Sequence, residues 1–315
     1  MKCLVTGAAG FIGSHLSEAL LENGHEVLGL DCFVPYYDQS IKENNLSTSK
    51  SKAGYQFHQV DLRTDSLDGL LSDVEVIFHL AAMPGLVKSW SDFDTYVGCN
   101  ITATQRLLEG IASQKPPLKR LIYISTSSVY GKYSSGDESM PTKPISPYGV
   151  TKLAGENRCK AYTQIHDLPL VILRYFSIYG PRQRPDMGYF KFIDAAQRGK
   201  TVTVFGDGHQ ARGNTYVADC VNATMLAMDA LIGETYNIGG SETASVWDIL
   251  RRLEEIGGKK IEVEMAPARP GDQRTTFADT SRINRHLRWN PRTTLDQGLK
   301  AQWDWQQSLI DQHST

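Results

Sequence analysis

A doubly wound α/β fold, a parallel sheet with helices on both faces followed by a smaller α/β C-terminal lobe, is what the sequence predicts. Three observations carry this. Short apolar runs alternate with amphipathic segments through the first half of the 315 residues, the pattern of β-α units joined by right-handed crossovers. The first apolar run leads straight into three evenly spaced glycines, Gly7, Gly10 and Gly13. Beyond about residue 175 the strands shorten, and proline, arginine and glycine cluster at 180–188 and 266–274.

The elements follow in order. A strand begins at Lys2, and Ile12, Leu16, Ala19, Leu20 and Leu21 fall at helical spacing behind the glycines. Strand, tight turn and helix N-terminus, in that order, make the Rossmann cradle for a pyrophosphate. A second strand, Glu26 to Leu30, ends at Asp31, 18 residues beyond Gly13. That is near the roughly 20 expected of a carboxylate on an adenosine ribose. An acid there accepts bonds from two ribose hydroxyls and repels a 2′-phosphate, which favours NAD over NADP.

Residues 35–54 read as a loop with a short helix. Strands are predicted at Tyr55–Val60, running into Asp61 and Leu62, and at Val74–Leu80, running into Ala81 and Ala82. A helix spans about 94–114 and carries Asn100. Further strands cover Lys119–Ser125 and Leu168–Arg174, with a helix from Tyr148 to about Asp167 between them. Shorter strands follow at Thr201–Phe205, Thr235–Ile238 and Lys260–Met265. The predicted division is a dinucleotide-binding domain at 1–174 and a substrate lobe at 175–315, with 215–238 returning to the first domain.

Composition narrows the function. A hydrophobic fraction of 41% and a charged fraction of 22% are those of a soluble enzyme. Net charge is -2, from 33 basic and 35 acidic residues. That balance favours neither nucleic acid nor an anionic membrane as partner. The five cysteines, at 3, 32, 99, 159 and 220, form no CxxC and are odd in number. They read as reduced, mostly buried thiols of a cytoplasmic protein, and no metal is expected. No signal peptide fits before a first strand that starts at Lys2. No apolar run approaches the roughly 18 residues of a membrane span.

The chemistry is concentrated in Ser-Pro-Tyr148-Gly-Val-Thr-Lys152. Positions i and i+4 share a helix face. An ammonium there is expected to pull the Tyr148 phenol below its usual value near ~10. Such a phenol exchanges a proton with a substrate hydroxyl at neutral pH.

The blocks TGAAGFIGSH, HLAA, STSSVYG, SPYGVTK, RYFSIYGPRQRP and the RPGD near 269 resemble, over nearly the whole chain, the nucleotide-sugar epimerase/dehydratase branch of the extended short-chain dehydrogenase/reductase family. The resemblance implies a catalytic triad of Thr126, Tyr148 and Lys152, and tightly held NAD. It places Gly7, Gly10, Phe11, Ile12 and Gly13 on the cofactor, with Asp31, Asp61, Leu62, Leu80, Ala81, Ala82 and Lys152. Asn100 joins that set, or else positions the helices behind it. His79 is read as a buried histidine at a strand end.

Dehydratases of the branch carry an Asp-Glu pair after the triad Thr, and decarboxylases commonly carry Thr-Ser-Glu. Here the run is Thr126-Ser127-Ser128, which offers elimination no acid or base. The implied reaction is therefore 4-epimerisation of a UDP-sugar through a 4-keto intermediate, UDP-glucuronic to UDP-galacturonic acid. Ser127, Ser128 and Arg184 are candidates to hold a sugar carboxylate; Arg184 alternatively meets a diphosphate or an Asp of its own chain. Arg212 and Arg269 are candidates for the diphosphate, with Asp272 orienting Arg269 or bonding a ribose. Phe205 and Gln210 are placed near the base.

Two departures stand out. Ser177 replaces a frequent Asn, and Arg212-Gly213-Asn214 replaces an Arg-Asp-aromatic run. The alternatives are UDP-glucose or UDP-N-acetylglucosamine as substrate, UDP-glucuronate decarboxylation, and a non-catalytic NAD sensor. The family pairs as a homodimer, here through 94–114 and 148–166.

Overall fold

The computed structural model describes residues 1–240, 242–268 and 274–313. The first half runs β1 (Lys2–Thr6), α1 (Phe11–Glu22), β2 (Glu26–Asp31), α2 (Gln39–Lys50), β3 (Tyr55–Gln59), β4 (Val76–His79), α3 (Phe93–Val97), α4 (Ala103–Gln114), β5 (Arg120–Thr126), β6 (Ser134–Gly136) and α5 (Pro147–His166). Then come β7 (Leu170–Tyr175), β8 (Ile178–Tyr179), α6 (Gly188–Arg198), β9 (Val202–Phe205), β10 (Ala211–Tyr216), α7 (Val217–Leu226), β11 (Thr235–Ile238), β12 (Glu242–Ser245), α8 (Val246–Gly257), β13 (Val263–Ala266), β14 (Thr275–Ala278), α9 (Ser281–Leu287) and α10 (Leu295–His313).

Seven parallel strands form the central sheet, in the order β11-β7-β5-β4-β1-β2-β3. Strands β4 and β7 are buried along their whole length, as a sheet covered on both faces requires. Successive side chains point to opposite faces. Val5 and Phe78 accordingly pack with Leu16 and Leu20 of α1 and Ala223 of α7, while Leu4 and Ile77 pack with Leu107, Leu108 and Ile111 of α4. Strand order reverses between β1 and β4. The crevice at their C-terminal ends is where this topology binds ligands.

A second sheet runs β12-β10-β14-β6, with β8 also on β10, and β13 pairs with β9. The two halves exchange strands. Ser134–Gly136, early in the chain, joins the second sheet, and Thr235–Ile238, late in the chain, closes the first.

Two elements differ from the sequence-based expectation. The stretch expected as mostly loop holds a 12-residue helix, α2, capped by Asp38, whose carboxylate accepts from the Ser40 N–H at 2.8 Å. Its buried stripe is Lys42, Asn45, Leu46 and Ser49. Three of those four are polar, so an apolar periodicity was not there to read. The helix expected at about 94–114 is present and continuous, but it widens to a π-type turn at Gly98–Thr102, between α3 and α4. Such π-type turns recur at functional sites.

Candidate active site

The glycine turn sits at the sheet's reversal point. Gly7 has φ 74°, and a Cβ on it would lie 2.9 Å from the Ala81 nitrogen. A Cβ on Gly13 would overlap the Gly7 carbonyl oxygen. Only glycine permits this close turn. The N-terminus of α1 follows with no side-chain cap at Gly10, so its first N–H groups are left for a ligand. Gly7, Gly10, Phe11, Ile12 and Gly13 line a cleft of about 350 Å³, as do Asp31, Asp61, Leu62, Leu80, Ala81 and Ala82.

At the end of β2 the two Asp31 oxygens accept N–H bonds from Ala9 (3.1 Å) and Phe33 (2.9 Å). These bonds fix the carboxylate's orientation at the cleft wall. Burial nevertheless pushes its pKa up, against the pull of Lys42. Asp61 is forked by Arg63, Nε to Oδ1 at 2.9 Å and Nη2 to Oδ2 at 2.7 Å, which holds the Asp61 carboxyl below its ordinary range.

The opposite wall is the end of β5 and the first turns of α5. Ser146 caps α5 by accepting from the Gly149 N–H at 3.1 Å, and Pro147 fills the first helical position, where no N–H is needed. Thr126, Tyr148 and Lys152 all line the cleft. The Tyr148 ring meets Tyr96 edge-on, centroids 6.2 Å apart.

The expected acidity of the phenol is corrected here: the Tyr148 pKa stands above its ordinary value. Burial raises the Tyr148 pKa, and the groups that pull it down are a hydrogen bond with the Thr126 hydroxyl and the Arg184 guanidinium. The Lys152 ammonium is directed at β5 instead, 4.4 Å from the Tyr123 ring centroid. Its own pKa is lowered to about 8, chiefly by burial.

Asn100 does not line this cleft. It is fully buried at the wide turn. Its Oδ1 accepts from the Met83 N–H at 2.7 Å, and its Nδ2 donates to the Met83 carbonyl (3.1 Å) and Thr151 Oγ1 (2.9 Å). Of its two expected roles, the geometry is that of a clamp between α5 and the loop after β4.

His79 is likewise buried, with its pKa lowered to about 3 by burial and then by Lys152. Thr104 Oγ1 donates to the Asn100 carbonyl and so accepts from His79 Nε2–H at 3.0 Å. His79 Nδ1 then accepts from Thr6 Oγ1 at 2.8 Å, and Thr6 accepts from the Ala81 N–H at 3.1 Å. The histidine ties β1 to α4 as a neutral link.

The substrate candidates divide. Arg184 lines the cleft; Phe205, Gln210 and Arg212 line a second cavity of about 570 Å³; Ser177 lines both. Ser127 and Ser128 are nearly buried in a tight turn after β5 and line neither wall. Arg184 does meet an acid of its own chain, Asp186. Arg269 and Asp272 lie outside the described residues. Sequence reasoning missed Tyr36, Tyr37, Lys42 and Arg63, all in the cleft wall. A tyrosine pair inside an otherwise polar stretch was the available signal. All five cysteines are free, and all but Cys32 are buried. Among the described residues no helix is long and apolar enough to cross a membrane.

Residues 3–239 match the model of the NAD dependent epimerase/dehydratase family. The chain belongs to that family. Its members include a UDP-glucuronate 4-epimerase of Thermodesulfobacterium geofontis, 35% identical over 98% of this chain and 97% of its own. An uncharacterised UDP-glucose epimerase of Bacillus subtilis is 45% identical over 95% of this chain and 96% of its own. Among solved structures, a UDP-glucuronic acid 4-epimerase from Bacillus cereus in complex with UDP-glucuronic acid and NAD superposes with a TM-score of 0.95, at 44% identity over 98% of this chain and 100% of that one.

Proposed function

We propose that this protein converts UDP-glucuronic acid to UDP-galacturonic acid through a 4-keto sugar, using NAD that it retains. The observation that carries this is the convergence of Thr126, Tyr148 and Lys152 on the glycine-turn cleft, whose lining Arg184 shares. The Bacillus cereus and Thermodesulfobacterium geofontis relatives, whose names carry this activity, support the choice of sugar.

The residues present fit NAD. Two glycines make a cradle that a Cβ would fill, α1 offers uncapped N–H groups, and Asp31 stands fixed at the ribose position. Bound there, NAD would supply the acceptor, and later the donor, for the hydride of sugar C4. Tyr148, as phenolate, takes the proton of the 4-hydroxyl while Thr126 orients that hydroxyl. Lys152 supplies positive charge beneath the site. The keto sugar turns over, and Tyr148 gives its proton back to the C4 oxygen. Neither Ser127 nor Ser128 can serve elimination as an acid or base, so the keto sugar is reduced again.

Phe205, Gln210 and Arg212 in the second cavity grip the UDP portion. Arg184 bonds the sugar carboxylate, which keeps the β-keto acid from losing carbon dioxide. Arg269 and Asp272 retain their sequence-based roles at the diphosphate. Residues 1–174 without β6, together with α7 and β11, form the cofactor body, and the remainder the sugar-nucleotide lobe. Two copies pair through α4 and α5, where Val150 and Ile165 are exposed.

The name of the Bacillus subtilis relative favours UDP-glucose as a second reading. Purified protein given UDP-glucuronate without added cofactor is expected to yield UDP-galacturonate, and Tyr148→Phe to slow turnover by about 10³-fold. Conversion of UDP-glucose alone would transfer the assignment to the second reading.

A further inference from the structure

The cofactor cleft and the second cavity meet at Ser177, Ile178 and Met187, which line both. At that junction Arg184 faces the cleft and Asp186 faces the cavity. The two side chains form a fork, Nε to Oδ1 at 2.9 Å and Nη2 to Oδ2 at 3.0 Å. From the loop after β2, the Tyr36 hydroxyl donates to Asp186 Oδ2 at 3.1 Å. The Tyr36 ring also lies under the Arg184 guanidinium, 5.8 Å from its centroid, and under Lys88 Nζ at 5.0 Å. Two segments far apart in the chain thus converge on one guanidinium, and Lys88 from a third covers the Tyr36 ring.

A guanidinium has five N–H donors in one plane. Asp186 takes the side edge, Nε–H and one Nη2–H, which leaves the end edge of Nη1 and Nη2 for a second carboxylate. Without such a partner, a long side chain on a loop has many rotamers, and orienting it on binding costs affinity.

We infer that Asp186 and Tyr36 are positioning residues that hold the free edge of Arg184 toward an anionic group on the sugar, and so set the preference for a uronic acid over a neutral hexose. This rests on the UDP-glucuronate reading above.

The test uses NAD-loaded protein carrying Tyr148→Phe, titrated calorimetrically with UDP-glucuronic acid and with UDP-glucose. The readout is the ratio of the two affinities. Losing one oriented charge-assisted bond lowers that ratio about tenfold in Asp186→Ala. Asp186→Asn, which keeps one acceptor, lowers it less, and Tyr36→Phe about two- to threefold. A purely structural role weakens both ligands alike; an unchanged ratio in Asp186→Ala and Asp186→Asn overturns the inference. Turnover of both sugars by protein with Tyr148 intact separates the two claims. UDP-glucuronate epimerised with an unchanged ratio defeats the inference alone, and UDP-glucuronate not epimerised defeats both.

Discussion

On one side of the cleft, Thr126, Tyr148 and Lys152 sit on a strand and a helix locked by fully buried polar groups. On the other, Tyr36, Ser177 and Arg184 sit on loops held by half-exposed pairs. Behind the first wall, Arg174 of β7 forks Glu156 of α5 at 2.9 and 2.7 Å, with side chains 5% and 0% exposed. Ser125 Oγ donates to the same carboxylate at 2.5 Å, which ties the residue before Thr126 to the helix that bears Tyr148. The Arg184–Asp186 pair on the second wall is 17% and 32% exposed. Groups that move protons need fixed geometry to a fraction of an ångström. The candidate sugar-facing groups lie on loops, which tolerate change without disturbing a sheet.

The contrast breaks if both ion pairs carry the same weight. Glu156→Ala leaves Arg174 buried without its partner and is expected to cost about 3–5 kcal/mol in urea unfolding. Asp186→Ala, the equivalent cut on the loop wall, is expected to cost under about 1 kcal/mol. Equal losses would erase the distinction.

Acid sharpens it next. The pKa of His79 is held at about 3, against an ordinary 6.5. A folded value below the unfolded one means that the unfolded chain binds the proton first. The stability is therefore present above about pH 6.5 and is lost as pH falls from there through about 3. Between pH 6.5 and 4 the protein is expected to lose about 3 kcal/mol more than His79→Asn, measured by urea midpoints at each pH. Parallel losses would show that His79 is not the neutral link described.

The smallest effect lies in the loop wall. Ser177 is held at φ 29°, in the left-handed region that asparagine tolerates better. Ser177→Asn is expected to raise stability by about 0.5 kcal/mol, read as a higher melting temperature.

The strand–turn–helix opening, Asp31 and the Tyr148–Lys152 spacing were legible because each depends on neighbours within a turn or a single β-α unit. The full length of helix α2 was not, because its buried face is largely polar. Nor was the raised pKa of Tyr148, because helical spacing brings Lys152 near the phenol without saying how deeply the ring is buried or where the ammonium points. By itself the sequence determined the β-α order of the first sheet, the cofactor cradle and the helical spacing of Tyr148 and Lys152. Tertiary structure alone decided that Asn100 clamps a loop rather than lining the cleft, that Tyr36 reaches Asp186, and that β6 and β11 trade sheets. Burial and charge act through space, and these partners meet only once the chain between them has folded.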